Sequence, residues 1–180
     1  MYKLLIIFFL LCTLLIYADE FDFIYEKCLE YGTTPERAKL ISNTIKEEYF
    51  STIYESIDPL LILALIIGES NIKNLYGDNG NAVGYFQLHQ DAVWYVASFY
   101  PDIASRLRKI GYHKNLIRFP RVQIQIGVRY LYLILLHITN GNITKALNYY
   151  NRGNLSNYSK YVSYILTIYA DLVQEYTRKR

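Results

Sequence analysis

One carboxyl side chain, Glu69, lies near the end of an otherwise apolar run, PLLILALIIGES. The segment from Leu60 to Ile67 is apolar on every side, which predicts a fully enclosed central helix that begins at Pro59. A carboxyl group at the end of such a helix is poorly solvated, and this raises its pKa and keeps a proton available near neutral pH. Glu69 is therefore a candidate general acid. The alternative is a helix-end glutamate that points into water.

A loop rich in glycine and asparagine follows this carboxyl, from Asn71 to Ala82, and Gln87 comes after it within the apolar segment VGYFQLH. Glycine and asparagine allow tight turns, and a buried amide side chain must find hydrogen-bond partners. Polar groups aimed inward from a close backbone are typical of a sugar-binding groove. Such loops are common and mostly structural, so this pattern is weak when it is taken alone.

Three short motifs follow one another along the chain. They are Glu69-Ser70, then Gly84 with Gln87, and then Tyr150-Asn151 with Gly153. In this order and at this spacing they resemble the lysozyme-like domain of soluble lytic transglycosylases, where they read Glu-Ser, Gly-Leu-Met-Gln and Ala-Tyr-Asn-Ala-Gly. The resemblance extends from about Ile57 to Leu172, which is most of the chain after its N-terminal segment.

The resemblance implies an enzyme that cleaves the β-1,4 bond between N-acetylmuramic acid and N-acetylglucosamine in peptidoglycan. Glu69 would protonate the leaving oxygen and then act as base on the muramic 6-hydroxyl, which closes a 1,6-anhydro ring. Ser70, Gln87 and Tyr150 would orient the sugar and Glu69, and Asn151 would shape the wall behind them. The family needs no cofactor, and the expected partners are peptidoglycan glycan strands.

The chain departs from this family at several positions. Tyr85 and Phe86 replace Leu-Met, which is expected to widen the aromatic lining of the groove. Asn81 replaces a glycine, which asparagine can do where the backbone is left-handed. Tyr149 and Arg152 replace two alanines and are expected to bring bulk and charge near the groove.

A second pattern competes with the first. The segment GDNGNAVG is similar to the Gly-Asp-x-Gly-Asn stretch of goose-type lysozymes, in which the aspartate helps to position a hydrolytic water, and Asp78 matches it. His89 replaces a further aspartate of those enzymes. The alternatives are therefore a hydrolase that uses Glu69 and Asp78, and a non-catalytic peptidoglycan-binding protein. Asp78 can equally be a turn residue that caps backbone N–H groups.

The elements that must position these motifs are predicted to be helices. Thr34-Pro35 and Asp58-Pro59 are typical helix starts. After the first start, an apolar face is marked by Ala38, Ile41, Ile45 and Phe50. A further helix is expected to begin near Asp91.

The later part of the chain is also predicted to be helical. The segment RVQIQIGVRYLYLILLHI alternates like a strand in its first half, but its length and its apolar second half favour a buried helix. A short helix is expected to end near Asn151 and Gly153. A terminal amphipathic helix is marked by Tyr161, Ile165, Ile168 and Leu172. The predicted fold class is mostly α, a single lysozyme-like helical domain.

The N-terminal segment has one lysine, Lys3, followed by an apolar run from Leu4 to Ala18. This run is typical of a secretory signal and is shorter than the roughly 20 residues of a membrane span. Residues 1–18 are therefore predicted to be a signal peptide. Bulky Ile16 near the cleavage site leaves an uncleaved membrane anchor as the alternative. The expected location is the periplasm, the cell envelope or the extracellular space.

Length and composition predict one domain over residues 19–180. The 180 residues are 52% hydrophobic and 19% charged, which is enough for one well-buried core and too short for two ordinary domains. Without Lys3 the chain has 18 basic and 16 acidic side chains, and this excess of +2 is too small to indicate nucleic acid as a partner. The 20 tyrosines suit a sugar-binding groove, but coding bias is the preferred explanation.

The cysteines and histidines predict neither a disulfide nor a metal site. Once the signal segment is removed, Cys28 is the only cysteine and has no internal partner. His89, His113 and His137 show no spacing with cysteine or acidic residues that would build a zinc site. The fold is therefore expected to depend on packing alone.

Overall fold

The structure is a computed structural model that describes residues 20–51, 57–155 and 159–180. Within these ranges the chain is mostly α-helical, which confirms the predicted fold class at that level. The predicted signal segment, residues 1–18, lies outside the described residues.

Eight helices and one small hairpin make up the described chain. The helices are α1 (residues 20–30), α2 (Pro35–Phe50), α3 (Pro59–Ser70), α4 (Gln90–Phe99), α5 (Pro101–Ile110), α6 (Pro120–Leu133), α7 (Ile143–Arg152) and α8 (Lys160–Lys179). The hairpin is β1 (Tyr76–Gly77) with β2 (Ala82–Val83). Short 3₁₀ turns cover Asp78–Gly80 and His113–Arg118, and a π-helical turn covers Ile134–Ile138.

All four prolines of the chain begin helices, namely α2, α3, α5 and α6. Proline fits the first helical position because its missing N–H would have no intrahelical partner there. The two starts predicted from the sequence also carry side-chain caps. The Thr34 hydroxyl accepts a hydrogen bond from the Arg37 N–H at 3.4 Å, and the Asp58 carboxylate accepts one from the Leu60 N–H at 2.8 Å.

Helix α3 is the centre of the core. Every residue from Leu60 to Ile67 is buried, which confirms the predicted enclosed helix, and α8 packs along it. The prediction for the end of α2 was wrong at Phe50, which is 44% exposed. Tyr49 takes the inward position instead, and Phe50 covers the ring of Phe21, with ring centroids 5.9 Å apart.

Helix α6 resolves the ambiguous alternating segment in favour of a helix. All residues from Val122 to Val128 are buried, including Gln123 and Gln125. The polar residues that alternate with apolar ones therefore lie inside the protein, and not on the solvent-exposed face of a strand. Within the described residues no single helix is long and apolar enough to cross a membrane. The pair Pro120–Ile138 and Ile143–Arg152 meets that test only together, and it is bent by 117°.

A buried network of charges joins α2 to α5 and α6. Glu48 is 2% exposed, and its two carboxylate oxygens accept hydrogen bonds from Arg129 at 2.9 and 3.1 Å. Arg129 also donates to Asp102 at 2.9 Å and lies 4.8 Å from the centroid of the Tyr100 ring. Gln125 donates to Glu48 at 3.1 Å. These contacts offset the cost of removing the Glu48 charge from water, which amounts to several kcal/mol.

Replacing Glu48 by alanine is expected to lower the free energy of unfolding by about 3–5 kcal/mol, because it removes the buried partner of Arg129. Glu47→Ala is the matched control. This neighbour pairs with Arg121 at 2.7 Å, but both side chains are half exposed, and such pairs contribute at most about 1 kcal/mol. Urea unfolding of the two variants measures the difference. Equal losses would show that the network does not hold α2 to α6.

Candidate active site

Glu69 faces a depression of about 270 Å³ at the end of α3. The depression is lined by Glu69, Asp78, Ala82, Gln87, His89, Tyr150 and Asn151. Five of the six site residues expected from the sequence therefore meet in one place, although they come from four separate parts of the chain. The exception is Ser70.

The carboxyl group of Glu69 is poorly solvated, as the sequence predicts. Burial raises its pKa from the usual 4.5 to about 7. The hydroxyl of Tyr161, in the first turn of α8, donates a hydrogen bond to Glu69 Oε1. This hydrogen bond lowers the pKa but does not offset the effect of burial. Glu69 therefore exchanges its proton close to neutral pH.

Tyr161 was not identified as a site residue from the sequence, where it only marked the inner face of the terminal helix. Burial raises the pKa of its phenol, and the nearby charge of Glu69 raises it further. The hydroxyl therefore stays protonated and acts as a donor. Its partner lies 92 positions away in the chain, so helical periodicity alone could not reveal the contact.

Ser70 fixes the end of α3. It is 8% exposed, and its hydroxyl donates a hydrogen bond to the Tyr85 carbonyl at 2.9 Å. The chain then turns sharply through Asn71 and Ile72, which both have left-handed backbone, with φ of 53° and 58°. This conformation is unfavourable for a β-branched residue, and the buried side chain of Ile72 holds it in place. Ser70 therefore positions Glu69 through the backbone and does not line the depression.

Gln87 closes the loop that follows. Its side-chain nitrogen donates to the Gly84 carbonyl at 2.7 Å and to the Leu75 carbonyl at 3.3 Å, which confirms that this amide finds partners. Its own backbone is left-handed, with φ of 46°. Its side-chain oxygen lies over Gly77, where an added Cβ would come within 1.8 Å of it. The amide thus ties both sides of the loop together at the edge of the depression.

A second glutamine, Gln123 of α6, supports the same loop from the core. It is fully buried, accepts a hydrogen bond from the Tyr85 N–H at 3.2 Å, and donates to the Leu116 carbonyl at 2.6 Å and to Asn74 at 2.9 Å. Gly84 must be glycine here, because its φ is 79° and a Cβ would lie 1.8 Å from the Gln123 oxygen. Gln123 was missed from the sequence, where it belongs to an alternating apolar segment.

The expectation that Tyr85 and Phe86 widen the aromatic lining of the groove was wrong. They are 1% and 0% exposed and belong to the core. The ring of Phe86 lies against Gly127 of α6, where an added Cβ would come within 2.2 Å of it. The Tyr85 hydroxyl accepts a hydrogen bond from Arg37 at 3.3 Å.

The predicted loop contains the small hairpin, in which Tyr76 lies opposite Val83. Asn81 was expected to tolerate left-handed backbone, but its φ is −90°. The left-handed residues are the three before it, Asp78, Asn79 and Gly80, with φ of 44°, 53° and 86°. The glycine-like conformation therefore lies at the hairpin tip rather than at Asn81.

Tyr150 contributes its ring to the depression and its hydroxyl to the loop. The hydroxyl donates to the Phe86 carbonyl at 2.8 Å, and burial raises the pKa of this phenol well above its ordinary value. The ring packs against Tyr130, with ring centroids 5.3 Å apart. The hydroxyl that was expected to orient the sugar thus joins α7 to the loop, and the ring forms part of the wall.

Two further depressions share lining residues with their neighbours, and the three together are called the groove below. The second, of about 260 Å³, shares with the first Gln87, His89, Tyr150 and Asn151. The third, of about 230 Å³, is lined by Asp91, Ala92, Tyr95, Tyr130, Ile138 and Tyr149. Tyr149 therefore lies at the groove as expected, whereas Arg152 is exposed at the end of α7 and is not a lining residue.

No cluster suited to a metal ion occurs in the part of the chain that the structure describes, where no three or more His, Cys, Asp or Glu side chains come together. Cys28 is buried in the core as a free thiol. Burial raises its pKa to about 12, so it stays protonated and unreactive.

Comparison with protein-family models, curated proteins and solved structures finds no match to this chain.

Glu69→Gln is expected to stabilise the fold increasingly as the pH rises. A carboxyl whose folded pKa is raised contributes stability that is present below its unfolded pKa of about 4.5 and is lost as the pH rises through about 7. The gain should be under about 1 kcal/mol at pH 5 and up to about 3 kcal/mol at pH 8. Urea unfolding at both values measures it, with Glu47→Gln as the exposed control. A gain that does not depend on pH would contradict the raised pKa.

Proposed function

We propose that this protein is a lysozyme-like lytic transglycosylase, which cleaves the β-1,4 bond between N-acetylmuramic acid and N-acetylglucosamine in peptidoglycan. The observation that carries the proposal is a half-buried carboxyl, Glu69, with a pKa of about 7 on the wall of an open groove. Gln87, Tyr150 and Asn151, at the spacing of that family, lie around it. Because peptidoglycan lies outside the cytoplasm, the proposal agrees with the predicted signal segment.

In the first step, Glu69 gives its proton to the glycosidic oxygen as the bond from that oxygen to the muramic C1 breaks. Positive charge then develops on the muramic ring, and Glu69 becomes a carboxylate. Tyr161 assists at this stage, because its hydrogen bond to Glu69 is stronger when the acceptor is charged. The same hydroxyl holds Oε1 in one direction, so the other oxygen is left for the substrate.

In the second step, the Glu69 carboxylate takes the proton from the muramic 6-hydroxyl, whose oxygen bonds to C1. This closes the 1,6-anhydro ring and returns Glu69 to its protonated form. No water is consumed, and one carboxyl group serves as both acid and base. A pKa near the working pH suits both roles, because neither protonation state is then rare.

The row of three adjoining depressions and the aromatic lining of the groove support a polymeric substrate. Tyr95, Tyr130 and Tyr149 surround its far end, and sugar rings present apolar faces that pack on aromatic side chains. The exposed side chains of Asp91 and Asn151 offer polar atoms to the hydroxyl and acetamido groups at the edges of the sugars. A glycan strand would thus lie along the groove with its scissile bond at Glu69.

Glu69→Gln is expected to reduce peptidoglycan cleavage by about 10²–10⁴-fold, because the amide keeps the shape of the side chain and cannot donate the proton. Glu47→Gln, which changes an exposed glutamate outside the groove, is the matched control. Mass spectrometry of muropeptides released from purified peptidoglycan measures the loss and should show 1,6-anhydro ends with the wild-type protein. Cleavage by Glu69→Gln at the wild-type rate would refute the proposed function.

Tyr161→Phe is expected to shift the alkaline limb of the pH–activity profile to higher pH. The limb reports loss of the proton from Glu69, and removing a hydrogen bond that lowers the pKa of Glu69 moves this loss upward. Tyr164→Phe, which alters a residue 53% exposed on the same helix, is the control. A Tyr161→Phe protein that loses activity without a shift in the profile would assign to Tyr161 a structural role only.

A further inference from the structure

The charged side chains of this protein are distributed unevenly along its sequence. Residues 103–170 contain ten lysines and arginines and no aspartate or glutamate, although the whole chain has 19 basic and 16 acidic side chains. Three of the ten, Arg106, Arg121 and Arg129, donate hydrogen bonds to side chains of other helices. The other cations create a positive surface wherever several of them come together.

Four of these cations come together where α5 ends. Arg108 and Lys109 belong to the last turn of α5, and Lys114 and Arg118 belong to the 3₁₀ turn that follows it. All four side chains are exposed. Among the residues that the structure describes, no carboxylate forms an ion pair with any of the four. We call residues 108–119 the basic turn.

Exposed aromatic rings lie between these cations. Tyr112, which is 83% exposed, lies between Lys109 and Lys114 in the sequence, and Phe119 at the end of the basic turn is 42% exposed. Tyr76 of β1 is 49% exposed and lies beside them, because its hydroxyl donates a hydrogen bond to the Lys114 carbonyl at 3.0 Å. Exposed rings that lie close together indicate a surface that contacts a partner.

The basic turn is held against the rest of the protein from its inner side. Leu116 is fully buried. The Ile117 carbonyl accepts a hydrogen bond from the Asn74 side chain at 2.8 Å, and the Asn115 side chain donates one to the Ile110 carbonyl at 3.0 Å. These inner contacts fix the backbone, so the cations and the rings are presented to solvent as one preformed surface.

Cations interleaved with aromatic rings suit the interface of a lipid bilayer with anionic headgroups. Each lysine or arginine close to such a surface strengthens binding by about fivefold. Aromatic side chains favour the headgroup region, where an apolar ring leaves water and a hydroxyl can stay hydrated. A soluble polyanion would pair with the same cations but would leave the rings in water. The combination therefore favours a bilayer over a soluble polyanion.

We propose that the basic turn, together with Tyr76, docks on the surface of a bilayer that contains anionic phospholipids. The cations pair with lipid phosphates, and the rings of Tyr112 and Phe119 enter the headgroup region. Lys114 Nζ reaches the hairpin tip, where it lies 3.7 Å from the position of a Cβ added to Gly80. Because this hairpin borders the groove, docking brings the groove close to the bilayer. The inference does not depend on the proposed function.

The test uses a tryptophan as a local reporter. The chain has one tryptophan, Trp94, on α4 outside this surface. The variant Tyr112→Trp in a Trp94→Phe background has its single indole ring in the basic turn. On addition of phosphatidylcholine vesicles that contain phosphatidylglycerol, we expect its emission to shift to shorter wavelength and to be quenched by brominated acyl chains. Vesicles of phosphatidylcholine alone should give neither effect, and added salt should weaken the affinity for the anionic vesicles.

Two double variants in the same background test the role of the cations. Lys109→Gln with Lys114→Gln is expected to weaken the affinity for anionic vesicles by at least about tenfold. Lys145→Gln with Lys160→Gln is the matched control, because it removes two exposed lysines outside the basic turn. This control should change the affinity by less than about twofold. The indole reports only on its own surroundings, so attachment through the N-terminal segment alone does not produce the signal.

Three results would overturn this inference. They are the absence of a shift and of quenching with anionic vesicles, effects of equal size with and without phosphatidylglycerol, and equal losses of affinity in the two double variants. A shift of the same size with inorganic polyphosphate and no lipid would also overturn it, because the surface would then bind a soluble polyanion. None of these measurements involves peptidoglycan cleavage, so each outcome leaves the proposed function to its own test.

Discussion

The burial of the Glu69 carboxyl group away from water is the physical constraint on which the candidate site depends. Helix α3 is buried from Leu60 to Ile67, and Glu69 near its end lies at the wall of the groove. Among the described residues, the hydrogen-bond partner of this carboxyl group is the Tyr161 hydroxyl. An ionised carboxyl is poorly stabilised there, so its pKa rises to about 7. A group that costs stability at neutral pH is thus also the one that can exchange a proton there.

Much of the surrounding structure keeps this carboxyl in place. Ser70, Gln87, Gln123 and Tyr150 all direct their polar atoms to the backbone of the loop between α3 and α4. Buried polar groups need such partners, and a loop with several left-handed residues needs such support. These hydrogen bonds therefore hold the backbone of the loop in place at the edge of the groove. The buried Glu48–Arg129 network fixes α6, the helix that carries Gln123, to α2.

Local sequence patterns predicted much of this arrangement. Proline with a preceding cap residue marks the starts of α2 and α3, and an all-apolar run marks the buried helix. The motif spacing singled out Glu69, Gln87, Tyr150 and Asn151, and the structure brings these four residues to one depression. The helix predictions succeeded because each depends on residues that are neighbours in the chain.

The other contacts could not be predicted, because they depend on distant parts of the chain. Tyr161 and Gln123 reach their partners only after the helices pack. The inward position of Phe86 depends on Gly127 of the distant helix α6, which leaves room for its ring. Residues of the hairpin tip take the left-handed backbone that was assigned to Asn81.

The most direct test of this account is a titration of the Glu69 carboxyl group itself. Carbon-13 NMR of a protein labelled at the glutamate side-chain carboxyl, compared with labelled Glu69→Gln to assign the resonance, gives the pKa of this one group in the folded state. The account predicts a midpoint close to 7, and a higher midpoint in Tyr161→Phe. A midpoint near the ordinary value of 4.5 would contradict it, because Glu69 would then be ionised at neutral pH and unable to act as the acid.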